Sequence, residues 1–316
     1  MIRTAVVGVG YLGRFHAQKY AALPDSRLIA VADPNSAARE ALQKELQIDG
    51  VADYRELIGR VDAVSIVTPT PTHHAIARHF LDAGVDVLLE KPITHTREEG
   101  EDLVAAARRG GRILQVGHLE RFNAVVQAMQ PKLNAPRFIE SARLAPFRQR
   151  GTEVDVVLDL MIHDIDLILS IVRSPVVSVD AIGSSVFSNE IDIANARLRF
   201  ENGCVANATA SRVSLKTERK LRVFEDDAYL SVDLHQKILT VIRKAAGPVP
   251  EGMPPVSIDE RNFEQGDALK DEIEAFLASV ATREAPLVSG EDGLLALKTA
   301  VDITEQVKKS RERFRR

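Results

Sequence analysis

A glycine-rich segment near the N-terminus has the spacing that lets a backbone approach a phosphate group. Residues 8–13 read Gly-Val-Gly-Tyr-Leu-Gly, directly after an apolar run and at the start of a helical pattern. The first glycine of such a segment permits a tight turn, the second lets the backbone approach a pyrophosphate, and the third lets helix and strand pack closely. The phosphates would lie at the helix N-terminus, where free N–H groups and the helix dipole favour negative charge. The pattern therefore predicts a dinucleotide site, rather than a purely structural turn, that includes Gly8, Gly10, Tyr11, Leu12 and Gly13.

An acidic residue follows at the distance expected for a contact with the adenosine ribose. Asp33 lies 20 residues after Gly13 and ends the second apolar run. Its carboxylate can accept hydrogen bonds from the ribose hydroxyls and would repel a 2′-phosphate. The sequence therefore favours NAD over NADP. Arg39 lies near enough to keep NADP as an alternative.

Two further segments follow apolar runs and should lie beside the dinucleotide. Residues 68–74 read Thr-Pro-Thr-Pro-Thr-His-His, and residues 90–92 read Glu-Lys-Pro. Open α/β sheets bind ligands at the carboxyl ends of their strands, so both segments are candidates for the site. Pro92 disfavours helical geometry at Lys91, which keeps the lysine at the edge of the sheet. This position favours a functional lysine over a solvated one.

The segment Val154–Val172 predicts a largely buried helix with one polar stripe. Asp155, Asp159, His163 and Asp166 recur at spacings of four, four and three. Buried carboxylates need partners, so the stripe either faces a wet cleft or forms a structural ion network. Asp159 can fix the tautomer of His163 and raise its basicity, which favours an acid–base site in a cleft. A metal site is disfavoured because no second ligand cluster supports it.

The elements that must position these residues alternate in the first 118 residues. Apolar runs of strand length occur at residues 4–9, 28–32, 63–68, 85–89 and 113–116, with helical patterns between them at 12–23, 36–46, 74–83 and 98–109. Continuous apolar strands separated by helices predict a parallel sheet that is covered on both faces.

The texture changes after residue 120. Period-two patterns appear at residues 194–200, 206–210, 220–224, 229–234 and 238–242, and helical patterns follow at 268–280 and 290–309. These patterns predict an antiparallel or mixed sheet with one face packed on helices. The fold class is therefore α/β plus α+β. We expect a dinucleotide-binding domain at residues 1–120 and a substrate and oligomerisation domain at residues 121–289.

Composition excludes several other classes. The 316 residues are 45% apolar and 27% charged, with a formal charge of −4, which offers no basis for binding nucleic acid. Cys204 is the only cysteine, so neither an intrachain disulfide nor a cysteine-rich zinc site can form. No apolar run approaches the length of a membrane helix, and no signal peptide precedes the first strand. We therefore expect a cytoplasmic protein.

Together these features resemble the Gfo/Idh/MocA family, named after glucose–fructose oxidoreductase and inositol dehydrogenase. The resemblance covers essentially the whole chain and rests on Gly8–Gly13, Thr68–His73, Glu90-Lys91-Pro92, Gly117-His118 with Arg121-Phe122, and Asp159-x-x-x-His163-x-x-Asp166. It implies a Rossmann domain followed by an open-faced mixed sheet, with the active site between them. It also implies that a last helix, about residues 290–316, returns to the first domain and that the sheet forms a homodimer or homotetramer.

The resemblance also implies roles for particular residues. Lys91, Asp159 and His163 match the family's catalytic and substrate-binding residues. The cofactor-binding residues implied beyond the glycine segment and Asp33 are Thr68, Pro69, Thr70, His73, Glu90 and Lys91. His163 needs no pKa shift to accept a proton, so it is predicted to be the base, with Lys91 positioning the substrate oxygen.

Residues 157–166 are most similar to family members that oxidise the 3-hydroxyl of UDP-N-acetylglucosamine, for transfer of an amino group by an aminotransferase in lipid A synthesis. For such a substrate, Arg121, Arg148 and Arg150 are candidates to bind the diphosphate. A dehydrogenase for another sugar or a cyclitol is an alternative. A non-catalytic NAD-responsive regulator is another, although retention of Lys91, Asp159 and His163 disfavours it.

Overall fold

The computed structural model describes residues 1–148, 154–245, 247, 255–263 and 266–314. The strands are β1 (Ile2–Val7), β2 (Ser26–Ala32), β3 (Asp49–Val51), β4 (Ala63–Ile66), β5 (Asp86–Glu90), β6 (Leu114–Gly117), β7 (Phe138–Leu144), β8 (Val176–Ser184), β9 (Ile193–Phe200), β10 (Val205–Ser211), β11 (Glu218–Phe224), β12 (Ala228–Asp233), β13 (Ile238–Lys244) and β14 (Val256–Asn262). The α-helices are α1 (Tyr11–Ala22), α2 (Ser36–Leu46), α3 (His73–Asp82), α4 (Arg97–Gly110), α5 (Ala124–Met129), α6 (Ile162–Val172), α7 (Ala268–Thr282) and α8 (Gly290–Phe314).

The chain forms two compact units, and each contains one sheet. The first unit comprises residues 1–122 and 267–297, and the second comprises residues 123–266 and 298–316. The six strands of the first unit are parallel and run in the order β3-β2-β1-β4-β5-β6. This order is that of a Rossmann fold, which confirms the predicted parallel sheet. Strand β3 was not expected.

Helix α7 contributes to the core of the first unit. Its buried side chains Ile273, Phe276 and Val280 pack in the same apolar cluster as Tyr20 and Leu23 of the N-terminal segment. The sequence interpretation had placed residues 267–289 in the second domain. The structure places them in the first unit because α7 buries its apolar stripe there.

Helix α8 is shared between the units. Its first turns lie in the first unit, where Gly293 packs closely against Val116, and residues 298–316 belong to the second unit. There Val307 lies against Gly183, and the Thr304 hydroxyl donates to Asp155. The expectation that residues 290–316 pack on the first domain therefore holds only for the residues up to Leu297.

The second unit contains an eight-stranded mixed sheet in the order β14-β13-β12-β11-β7-β10-β9-β8. Strands β7 and β10 are parallel, and the other neighbours are antiparallel. Alternate side chains such as Ala206, Ala208 and Ala210 are fully buried, whereas Asn207 and Thr209 between them are half-buried. This alternation confirms the predicted mixed sheet with one covered face.

The helical segment expected over Val154–Val172 has two parts. Residues Val157–Met161 form a π-helical turn, with hydrogen bonds from residue i to i+5, and α6 follows it directly. A π turn is wider than an α turn, so it rotates the side chains on either side relative to a continuous α-helix. Single π turns inside helices often occur at functional sites.

Among the described residues, no helix is both long and apolar enough to cross a bilayer.

Candidate active site

The glycine segment has the geometry that a bound pyrophosphate requires. Gly8 follows β1 with φ of +85°, and a side chain there would also lie only 2.7 Å from the Val67 carbonyl oxygen. A Cβ at Gly13 would lie 1.9 Å from the carbonyl oxygen of Gly8, so only glycine allows α1 to pack this closely. Gly10, by contrast, has no heavy atom within 4 Å of the position of its Cβ. The N-terminus of α1 is therefore open at the residue over which the phosphates are expected.

The two residues after Gly10 begin α1 and differ in exposure. Tyr11 is 74% exposed and packs edge-to-face on Phe15, with ring centroids 5.3 Å apart. Leu12 is half-buried. An aromatic pair of this kind at the first turn is accessible to a ligand from solvent.

Asp33 lies at the carboxyl end of β2 and is held by the backbone on both of its oxygens. The Val9 N–H donates to Oδ2 at 2.8 Å, and the Asn35 N–H donates to Oδ1 at 2.8 Å. A carboxylate offers about four lone-pair sites, so acceptor capacity remains for two ribose hydroxyls. Arg39 donates to the backbone carbonyl of Asp33 at 2.6 Å.

The buried side chain of His73 contacts both of the segments predicted to lie beside the dinucleotide. Its Nδ1 lies 2.9 Å from the carbonyl oxygen of Pro92, and its Nε2 lies 2.8 Å from that of Thr68. The side chain is 1% exposed, and this burial lowers the pKa of His73, although the two carbonyl contacts favour the charged form. The sequence interpretation counted His73 among the cofactor-binding residues. In the structure both ring nitrogens face carbonyl oxygens, so the residue braces the segments that carry Thr68 and Lys91.

The loop that leads to His73 is exposed at the carboxyl end of β4. Pro69 is exposed, Thr68 and Thr70 are half-buried, and the Thr72 hydroxyl donates to Thr68 Oγ1 at 2.8 Å. Thr68 and Thr70 thus lie at the edge of the sheet that also carries Gly8 and Asp33. This edge is where parallel sheets bind ligands.

Glu90 and Lys91 end the neighbouring strand but differ in environment. Glu90 is the last residue of β5, and its Oε1 lies 3.2 Å from Nε2 of His16. Lys91 is half-buried and follows at the carboxyl end of the strand, with a cis peptide bond to Pro92. The structure therefore turns the Glu90 carboxylate toward the interior of the first unit, and Lys91 lies at the predicted edge of the sheet.

The polar stripe predicted around His163 is divided. Asp159 lies in the π turn and His163 in the first turn of α6, and both are half-buried. Asp155 is 6% exposed, and its Oδ1 accepts the N–H groups of Val157 and Leu158 at 2.9 Å. Asp166 is 1% exposed. Asp155 therefore caps the helical segment, and the four residues predicted as one stripe differ in burial.

The residue next to His163 has a structural role. Asp164 is 1% exposed and accepts from Nε of Arg143, on β7, at 2.7 Å. The guanidinium offsets part of the hydration that a buried carboxylate loses. The helical segment thus carries the half-buried Asp159 and His163 together with a buried ion pair to the sheet.

The three arginines expected at a diphosphate have separate environments. Arg121 is 8% exposed, belongs to the first unit and has a guanidinium nitrogen 3.9 Å from Asp292. Arg148 is exposed and belongs to the second unit. Arg150 lies outside the described residues. Of the two arginines that the structure describes, Arg148 is the more accessible.

Two ionisable residues near Glu90 were not recognised from the sequence. His16 had the appearance of an ordinary packing histidine, yet it is fully buried and contacts Ser65 and Glu90. Glu272, on α7, is also fully buried. Phe276 and Val280 follow it by four and eight residues, which places an acid on the apolar stripe of a helix. This was the signal that could have identified it.

Comparison with known proteins places this arrangement in a family. A family of oxidoreductases with an NAD-binding Rossmann fold matches residues 2–118, and the Gfo/Idh/MocA C-terminal domain matches residues 122–231. The chain is 41% identical to the UDP-N-acetylglucosamine 3-dehydrogenase of Acidithiobacillus ferrooxidans, over 96% of each chain. A solved structure of that enzyme has a TM-score of 0.92 over 98% of each chain. The NAD-dependent scyllo-inositol 2-dehydrogenase of Bacillus subtilis is 26% identical over 96% of this chain and 93% of its own. The protein therefore belongs to the Gfo/Idh/MocA family of oxidoreductases, and its first domain is the NAD-binding Rossmann fold of that family.

Proposed function

We propose that the protein is an NAD-dependent dehydrogenase that oxidises the 3-hydroxyl of UDP-N-acetylglucosamine to the 3-keto sugar nucleotide. The observation that carries the proposal is the 41% identity, across 96% of both chains, to an enzyme named for that reaction. An inositol dehydrogenase of the same family reaches only 26% over a similar length.

The first unit supplies the groups that hold NAD. The open N-terminus of α1 at Gly10 fits a pyrophosphate, and Asp33 retains acceptor capacity for ribose hydroxyls. The carboxylate also disfavours a 2′-phosphate at the same place. Bound NAD supplies the hydride acceptor, and the protein supplies orientation and proton transfer.

Proton transfer is assigned to His163, with Asp159 and Lys91 in supporting roles. His163 accepts the proton of the substrate hydroxyl at a ring nitrogen, because an imidazole is an effective base near neutral pH without a shifted pKa. Asp159, one turn earlier, orients the imidazole and stabilises its charged form. Lys91 donates a hydrogen bond to the substrate oxygen and stabilises the negative charge that develops there. Arg148, which is exposed, is a candidate to bind the diphosphate alongside Arg121 and Arg150.

The product determines what must follow this reaction. A 3-keto sugar nucleotide is a substrate for amino transfer, so we propose functional coupling to an aminotransferase and a role in supplying 3-amino sugars for lipid A. We also propose that copies of the chain associate through the open face of the second sheet. There Phe138, Phe224 and Tyr229 form a half-buried aromatic row, with neighbouring centroids 5.6 and 5.0 Å apart.

The test is NADH formation from NAD by the purified protein with a panel of substrates. The panel contains UDP-N-acetylglucosamine, other UDP-sugars, free sugars and inositols. A glutamate-dependent aminotransferase is added to remove an unfavourable keto product. Turnover confined to UDP-N-acetylglucosamine supports the proposal, whereas turnover only with free sugars or inositols rejects the sugar-nucleotide substrate. Tight NAD binding without any turnover would favour a regulatory protein.

Replacing His163 or Lys91 by alanine tests the assigned roles. A positioned acid–base group contributes about 10²- to 10⁴-fold to the rate, so kcat should fall by that order in His163→Ala. We expect a similar loss in Lys91→Ala and little change in the Kd for NAD in His163→Ala, as measured by quenching of NADH fluorescence. Alanine in place of Asp180, an exposed acid on β8, is the control and should leave both values unchanged. Normal turnover in His163→Ala would contradict the assignment of the base.

A further inference from the structure

A second cluster of ionisable groups surrounds the carboxylate of Glu90 in the first unit. A ring nitrogen of His16, an oxygen of Glu90 and an oxygen of Glu272 all lie within 4.8 Å of one another. His16 and Glu272 are fully buried, and the Glu90 side chain is 15% exposed. No role in the proposed reaction has been assigned to His16 or Glu272, although Glu90 immediately precedes Lys91.

The neighbouring residues restrict the carboxylate of Glu90 to one position. A Cβ on Gly117, the last residue of β6, would lie 3.0 Å from all three carboxyl atoms of Glu90, so the absence of a side chain there makes room for the acid. His16 holds the carboxylate from α1, and its Nδ1 lies 3.2 Å from Oγ of Ser65. Ser65 Oγ in turn lies 2.8 Å from the Tyr20 hydroxyl. A chain of polar groups therefore fixes one side of Glu90.

Glu272 reaches the same cluster from α7, and no hydrogen-bond donor contacts its carboxyl group among the described residues. Among the described residues, neither of its carboxyl oxygens has a hydrogen-bond partner. Two ionised carboxylates this close in a buried site would repel each other, and each would lose its hydration. Burial, followed by the charge of Glu90, raises the pKa of Glu272. A protonated carboxyl group has an O–H donor, and the carboxylate of Glu90, whose charge acts on Glu272, is an acceptor in the same cluster.

We propose that Glu272 is a positioning residue for Lys91: as a neutral acid it donates its hydrogen to Glu90 and thereby fixes the end of β5 from which Lys91 projects. The inference depends on the proposed function only through the role of Lys91. A shared proton pairs one oxygen of Glu272 with Glu90 without an added ion. His16 already has both ring nitrogens in contacts, with Ser65 and Glu90, so it has no nitrogen left for a cation.

The first experiment compares two replacements of Glu272 in the full-length protein. Glu272→Gln keeps the shape, the neutrality and an N–H donor, so kcat should stay close to that of the wild type. Glu272→Met removes the donor, and kcat should fall roughly 10- to 100-fold, because a lost hydrogen bond displaces the lysine. The Kd for NAD should change little in either variant, and near neutral pH Glu272→Gln should be at least as stable as the wild type, because it takes up no proton on folding.

A matched control lies two residues away on the same helix. Glu274 is exposed and pairs with Lys270 at 3.1 Å, so Glu274→Gln should behave as the wild type in every measurement. A wild-type kcat in Glu272→Met would overturn the proposal. A kcat in Glu272→Gln as low as that of Glu272→Met would also overturn it, because a neutral donor would then not suffice.

The second experiment detects the proton directly and needs no turnover. A protonated carboxyl group gives an infrared C=O stretching band that ionised carboxylates lack. The wild type should show such a band in its folded state near neutral pH, and Glu272→Gln should lose it while Glu274→Gln retains it. Absence of the band in the wild type would overturn the proposal, as would a stoichiometric divalent cation that is retained in purification and lost in Glu272→Gln. If no panel substrate is turned over but the band is present, the proposed function fails and the assigned proton stands.

Discussion

Each unit contains a completely buried carboxylate, Glu272 in the first and Asp192 in the second, and their surroundings act on its charge in opposite ways. Asp192 in the second unit accepts the N–H groups of Val186, Phe187 and Ser188 at 2.7–2.9 Å and pairs with Arg212 at 2.8 Å. Burial raises the pKa of Asp192, but hydrogen bonds from Ser188, Arg212 and Phe187 outweigh this effect and hold it well below the usual value. Glu272 in the first unit has burial and the charge of Glu90 acting on it, and both raise its pKa.

The difference shows that burial alone does not decide whether an acid is ionised. A guanidinium and several N–H groups stabilise the charge of Asp192, which thereby organises the loop of residues 185–190. A neighbouring carboxylate makes a second charge at Glu272 unfavourable, so this acid keeps its proton. One acid therefore stabilises a loop as an anion, and the other can donate a hydrogen bond next to a predicted active-site lysine.

Of the changes that test this comparison, removal of the cation that pairs with Asp192 should change the free energy of unfolding most. Arg212→Met leaves a buried carboxylate without its ion pair, and we expect a loss of about 3–5 kcal/mol in the free energy of unfolding. Urea unfolding monitored by circular dichroism measures it. The double variant Arg212→Met, Asp192→Asn is the control and should recover part of the loss, because no unpaired charge remains. A loss below about 1 kcal/mol would place the pair among weak surface ion pairs.

The pH dependence of stability should have opposite signs at the two acids. Asp192 has a folded pKa below its unfolded value of about 3.9, so its stabilising effect is complete above that pH and is lost as the pH falls toward the folded pKa. The stability difference between the wild type and Asp192→Asn should therefore shrink on the acid side. Urea unfolding at a series of pH values measures this difference. A difference that is constant down to the lowest pH would show that Asp192 is not ionised in the fold.

The same urea unfolding at a series of pH values should show a smaller effect at Glu272. The folded pKa of Glu272 lies above the unfolded value of about 4.3, so between these two pKa values the wild type takes up a proton on folding. Its stability therefore falls as the pH rises from the unfolded pKa to the folded pKa. Glu272→Gln should match the wild type below about pH 4.3 and become relatively more stable as the pH rises. Glu274→Gln should show no such trend. A Glu272→Gln variant that is less stable at neutral pH than at pH 4, relative to the wild type, would mean that Glu272 is ionised.

Much of the fold could be predicted because its strands have clear periodicity. The continuous apolar runs of β1, β2, β4, β5 and β6 can be buried on both faces only in a parallel sheet. Strand β3 has only three residues, Asp49–Val51, and no apolar run marks it. Strand β7 carries Arg143 on its covered face. From the sequence an arginine there predicts an exposed position, because its buried partner Asp164 lies on another element. Such tertiary partners are not visible in a single sequence.

The parts of the candidate site that could be predicted are those that a local sequence pattern identifies by itself. The glycine spacing, Asp33 and the lysine before a proline are local patterns, and the structure brings them to one edge of the first sheet. The polar stripe was predicted with a period of 3.6, which the π turn at Val157–Met161 does not follow. The cluster of His16, Glu90 and Glu272 combines three elements that are far apart in the chain, so no local pattern could reveal it.

The division of the chain between the two units also bears on how the protein is made. A ribosome that has released residues 1–122 has not yet synthesised α7, which later covers Tyr20 and Leu23. All of residues 123–266 must emerge before the first unit can close its core, and the second unit then waits for residues 298–316. Domains usually fold in order of synthesis, and incomplete ones expose apolar surface that favours aggregation. The nascent chain therefore carries an unfinished Rossmann core during most of its translation.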